Sequence, residues 1–151
     1  MGGLYFPQQI TQVLIGSKAT DGTRTSIEME STYQSESATE ATKTFTTGGY
    51  SLLNLDVLYT MGAAETSNSI EIKLEGSPDR TNFYQYANVS NSGGTSTLAA
   101  REFTFVGTNG AAASISFGLD VFYKYTRVSI KETGVSSNKG SVYVEATLSG
   151  R

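Results

Sequence analysis

"IEIKLEGSPDRTNFYQY", residues 70–86, is the stretch from which the fold is read. Ile70, Ile72 and Leu74 alternate with Glu71, Lys73 and Glu75. A period of two puts the apolar residues on one face and the charges on the other, the pattern of a half-buried strand. Ser77-Pro78-Asp79-Arg80 then reads as a turn, because proline pre-sets φ and the aspartate can bond nearby backbone amides. Asn82–Tyr86 forms the returning strand. The stretch is therefore a β-hairpin with an exposed tip, and the question is whether that tip binds something.

The same period recurs outward in both directions. Residues 50–61, YSLLNLDVLYTM, place Leu53, Leu55, Val57, Tyr59 and Met61 on one face. Strands are expected at 101–106, 114–117, 121–132 and 141–149, with Val128 and Ile130, then Val142, Val144, Ala146 and Leu148, facing inward. Earlier strands fall at 25–30 and around 42–46. Gly48-Gly49, Gly93-Gly94, Asn109-Gly110 and 137–140 punctuate them as turns. No stretch keeps a helical period, and the Ser and Thr of 35–43 favour a polar loop over a helical turn. About eight strands separated by turns are the pattern of a sandwich or barrel. At 151 residues the chain fits one domain.

Composition agrees and excludes. A charged fraction of only 17% speaks against a coiled coil or a disordered chain. The net charge of −3 leaves no basic patch, so no nucleic-acid partner is expected. No apolar run reaches the length of a membrane span, and the opening residues lack the layout of a signal peptide. Cysteine and histidine are both absent. That removes disulfides, thiol nucleophiles, Ser-His-Asp triads and the usual zinc sites. The scattered Asp56, Asp79, Asp120, Glu65, Glu71, Glu75 and Glu102 are explained by strand-face solubility and turn chemistry. No D-x-D-x-D-G calcium loop is present. The expectation is a protein that is not an enzyme, with no catalytic residues, no metal and no cofactor.

Two sets of residues remain as binding candidates. Residues 1–20 form an N-terminal arm or a first strand ahead of a β-sandwich domain at 21–151. Their Leu4, Tyr5, Phe6, Ile10, Val13, Leu14 and Ile15 need a cover, either the same sandwich or a neighbouring subunit. The other set is aromatic: Phe83, Tyr84 and Tyr86, with Phe122, Tyr123 and Tyr125. Such rings fill a core or an interface, or they stack on a sugar while polar neighbours bond its hydroxyls. For a glycan site the residues would be Asn82, Tyr84, Gln85 and Arg127, with aromatics converging near the 77–82 and 107–111 loops.

The segments LDVLYTMGAAETSNSIEIKLEGSPDRTNFYQY, STLAAREFTFVG and YKYTRVSIKETGVSSNKGSVYVEATLSGR, within residues 50–151, resemble small β-sandwich virion proteins of tailed bacteriophages. The resemblance implies an all-β fold: a single antiparallel sandwich of about eight strands, jelly-roll-like, with an N-terminal extended arm. It also implies a structural role in the virion, as a capsid decoration or cement protein or a neck or tail component. Partners would then be further copies of the chain, the major capsid protein or other virion proteins, with no nucleic acid and no membrane. More locally, LEGSPDRTNFYQY and YKYTRVSIKE are similar to a hairpin and a strand of discoidin-type modules, which bind carbohydrate or lipid. Arg80 and Phe83 stand where that pattern has Gly and an aromatic that is often Trp. This second resemblance implies a glycan-binding module.

Overall fold

The alternation of residues 50–61 and 70–76 becomes two nine-residue strands, each buried on one face. The computed structural model of the chain describes residues 9–63, 68–100, 102–106, 110–135 and 137–150. Its strands are β1 (Gln9–Ile15), β2 (Ser17–Lys18), β3 (Arg24–Thr25), β4 (Ile27–Glu28), β5 (Thr42–Thr46), β6 (Leu52–Thr60) and β7 (Ser69–Ser77). They continue as β8 (Tyr84–Gln85), β9 (Ala87–Ser92), β10 (Thr95–Ala100), β11 (Glu102–Val106), β12 (Ala112–Asp120), β13 (Tyr125–Thr133) and β14 (Ser141–Ser149). No helix occurs among the described residues.

Two antiparallel sheets pack face to face. The first has the order β1-β14-β6-β12, with β4 also on β14. The second has the order β11-β7-β13-β5, with β8 also on β7. Setting aside the short strands and the β9–β10 pair leaves eight, counted along the chain as β1, β5, β6, β7, β11, β12, β13 and β14. The first of these pairs with the eighth, the second with the seventh, the third with the sixth and the fourth with the fifth. One long folded-over hairpin is thus wound around a core, which is the jelly roll.

The core is what the alternation predicts. Leu53, Leu55 and Val57 from β6 meet Ile70, Ile72 and Leu74 from β7 and Val128 and Ile130 from β13 in one cluster. Val142, Val144, Ala146 and Leu148 from β14 complete it. Each such side chain withdrawn from water stabilises the fold by about 1.5–3 kcal/mol.

Both outer faces carry local covers. On the first sheet the β2–β3 hairpin lies over β14, where Lys18 and Arg24 both pair with Glu145 at 2.8 and 3.4 Å. The guanidinium of Arg24 sits 5.6 Å from the centre of the Tyr143 ring. Gly16, which leads into this hairpin, has φ +85°, and a Cβ there would stand 2.3 Å from the carbonyl oxygen of Thr25. On the second sheet the 29–41 segment brings Tyr33 against the Lys73 and Lys131 ammonium groups at 4.7 and 4.6 Å. That cover explains why the outward-facing Thr42, Thr44 and Ser129 are buried. The alternating charges beneath it are cross-strand ion pairs: Lys131 opposite Glu71 at 2.9 Å, and Arg127 opposite Glu75 at 2.8 Å.

Several expected boundaries move. Residues 9–15 are a strand of the sandwich itself, and a register shift between Val13 and Ile15 lets Leu14 and Ile15 both turn inward. Tyr125 begins β13, so Val121–Lys124 is a turn rather than the start of a strand. The stretch 25–30 breaks into two short strands that serve different partners, β3 on β2 and β4 on β14. The returning strand of the opening hairpin shrinks to Tyr84–Gln85 on Glu75–Gly76.

Candidate functional site

The two aromatic runs picked out in the sequence come together at one end of the sandwich. The turn after β7 is built on Asp79. Its Oδ1 accepts the backbone N–H groups of Thr81 and Asn82 at 2.9 and 2.8 Å and the Ser77 hydroxyl at 3.1 Å. Its Oδ2 accepts Nδ2 of Asn82 at 2.6 Å. The backbone amides of Asn82 and Thr81, then the Asn82 side chain, hold this carboxyl far below the usual carboxylate range. Arg80 sits at the tip with φ 65°.

Beside the turn, Tyr123 stacks on Tyr84 with ring centres 6.3 Å apart and presents an edge to Tyr86 at 5.7 Å. Phe122 packs on both Tyr86 and Tyr123 at 5.0 and 5.1 Å. Tyr86 is buried, whereas Tyr84 is 54% and Phe122 73% exposed. Gly76 makes the arrangement possible, since a Cβ there would lie 2.0 Å from the Tyr123 ring. The result is a platform of two exposed rings on two packed ones.

Its polar neighbours are engaged within the molecule. Asn82 donates to Asp79. The Arg127 guanidinium is fixed to Glu75 and lies 3.7 Å from the centre of the Phe83 ring. Gln85 is exposed and Tyr84 lies beside it on β8. The four residues named for a glycan site therefore share one end of the second sheet. Of the 107–111 loop expected to converge here, the described residues Gly110 and Ala111 lie elsewhere. Residues 107–109 lie outside the described set, and Ala111 bonds to Met61 at the opposite end of the sandwich. Antiparallel register places β7's last residue, Ser77, and β6's last residue, Thr60, at opposite ends, so Ala111 lies far from the Asp79 turn.

Of the apolar N-terminal candidates, Leu4, Tyr5 and Phe6 lie outside the described residues. Leu14 and Ile15 are buried in the chain's own core, Val13 is half-buried and Ile10 is exposed.

The sequence did not single out Glu132, which is fully buried near the far end of β13. Its carboxylate accepts the Gly62 N–H at 2.8 Å, the Asn68 amide at 2.8 Å and the Gly140 N–H at 2.5 Å. It ties Gly62, Asn68 and Gly140 to β13. The period-2 pattern does place Glu132 on the inward face with Val128 and Ile130, and that position was the available signal.

Two shallow grooves of about 380 Å³ each open on the outer face of the first sheet. One is lined by Arg24, Leu58, Ser114 and Tyr143, the other by Leu52, Asn54, Asp120 and Thr147. Among the described residues no three Asp or Glu side chains gather to hold a metal ion.

No protein-family model matches this chain, and no curated protein matches it.

Proposed function

We propose that this chain is a non-enzymatic structural protein of a tailed-phage virion, a capsid decoration or cement protein or a related particle component, that works by binding other protein subunits. The observation that carries this reading is the β9–β10 ribbon. Among the described residues its six-residue strands pair only with each other, from Ala87↔Ala100 to Ser92↔Thr95, around a Gly93-Gly94 tip at positive φ. An isolated two-stranded hairpin is marginal in water. A ribbon that pairs with no other strand among the described residues offers a surface for a partner to order, and interfaces of this kind need on the order of 1,000 Å². The jelly-roll winding and the resemblance to virion proteins support the same reading.

The deciding experiment is quantitative mass spectrometry of purified particles of the phage that encodes the chain. The protein is expected at a copy number matched to a symmetric site on the particle. Its absence from clean particles overturns the proposal.

One observation favours a second reading, glycan binding: Tyr84 and Phe122 present exposed rings beside the Asp79 turn. A glycan array compared between the parent chain and Tyr84→Ala tests it. Binding that disappears in the variant supports a lectin-like role, and an array blank for both chains removes it.

A further inference from the structure

Four strands end the two sheet orders, and three of them carry features that discourage pairing with another chain. β1 is broken by its register shift. β5 is five residues long and carries the exposed Lys43. β11 is five residues long and begins at Glu102. β12 has none of these features. It runs nine residues along β6 without a register shift, from Ala112↔Thr60 to Asp120↔Leu52. No charge and no proline occur from Ala111 to Leu119. Ala112, Ser114, Ser116 and Gly118 form a row of small, exposed residues on its outer face. Among the described residues only β6 pairs with it.

The gap between the sheets is also open along this side. Phe103 and Phe105 of β11 reach across to Phe117 of β12 at 4.7 and 6.3 Å. All three rings stay only half-buried, as does Ile115.

We infer that β12 is a self-association edge, along which a second copy of this chain pairs antiparallel through Ala112–Asp120, with the two-fold axis at Ser116. The segment is self-complementary about that residue. Ile115 then opposes the partner's Phe117, an aromatic and β-branched pair of the favourable kind. Ser114 opposes the partner's Gly118, and Ala113 the partner's Leu119. Asp120 opposes the partner's Ala112, so no like charges meet. The two first sheets join into one continuous sheet, an isologous contact, and the half-buried rings along the open side are covered.

This deepens the proposed structural role by naming one contact, and it rests on that reading only in that the chain works by association. The test uses the absence of cysteine, since a single introduced thiol can form only an intermolecular disulfide. Ser116→Cys lies on the axis, where paired Cα atoms stand about 4.5–5.5 Å apart, within reach of a bridge. Ala112→Cys lies eight residues from its twin, about 27 Å away at strand rise, beyond any bridge. Under mild oxidation Ser116→Cys is expected to form a covalent dimer nearly completely while Ala112→Cys stays largely monomeric. Equal crosslinking of both, or of neither, overturns the inference. As a second readout, Ser116→Lys is expected to run as a monomer by light scattering, and mixing it with Ser116→Glu to restore the dimer. A Ser116→Lys chain with the parent's dimer mass also sinks it. The outcomes stay separate from the particle experiment. A chain that crosslinks but is missing from particles keeps the edge and loses the virion role, and the reverse result does the opposite.

Discussion

Glu132 accepts three donors and is itself shut off from water. Truncating it leaves two backbone amides and an asparagine amide facing an apolar void. Glu132→Ala is therefore expected to cost about 3 kcal/mol, read as a lower urea midpoint. Asn82→Ala, which removes one exposed bond to Asp79, should change stability by no more than about 0.5 kcal/mol. Acid tells a second residue-scale story at Glu145. The hydrogen bond from Lys18 outweighs burial, and Tyr143 and the charges of Lys18 and Arg24 add to it, so the carboxyl lies below its ordinary value of 4.5. A depressed carboxyl stabilises the fold fully above the unfolded value and loses that contribution as pH falls through the folded one. Denaturation curves from pH 6 to pH 2 should show Glu145→Gln less stable than the parent at pH 6, with the gap closing below about 4.5. Little of this was legible beforehand. The inward register of Glu132 marks it in the string, but two of its donors, Gly62 and Asn68, lie 70 and 64 residues away in sequence.

Among the elements, the long strands were legible because their alternation coincides with burial. The ends of β13 and β8 were not, because aromatic residues suit a strand and a packed turn equally well. Phe122 and Tyr123 ended in the turn, where Gly76 leaves room for a ring. Gly76→Ala should displace Tyr123 and loosen the stack with Tyr84, seen as a loss of near-ultraviolet dichroism from the tyrosines. The β9–β10 ribbon escaped notice for the opposite reason. Its ANVSNSGGTSTLAA is too polar for a strand that packs on a core, and among the described residues neither of its strands pairs with a third. Replacing residues 88–99 by a two-residue Asn-Gly turn should therefore leave the unfolding temperature within about 4 °C of the parent. The same variant should fail to join particles. A deletion that unfolds the sandwich would show that the ribbon supports its own domain instead.

At the scale of the whole molecule, strand count and turn spacing pointed to a sandwich, whereas the winding order came only from the pairing of distant strands. Local pattern is silent about which strands become neighbours, and fold alone does not assign a role. That is why the virion reading rests on the ribbon, and why the aromatic platform keeps a separate test. The winding also has a consequence for how the protein comes into being. β14 lies between β1 and β6 at the centre of the first sheet, and Thr11 meets Thr147 across a separation of 136 residues. Until the ribosome has released β14, β1 and β6 have no strand between their edges to pair with. Folding of the sandwich must then wait until β14 has emerged and proceed slowly, as pairings of such high contact order do, and in the meantime the half-made sheet is a client for chaperones.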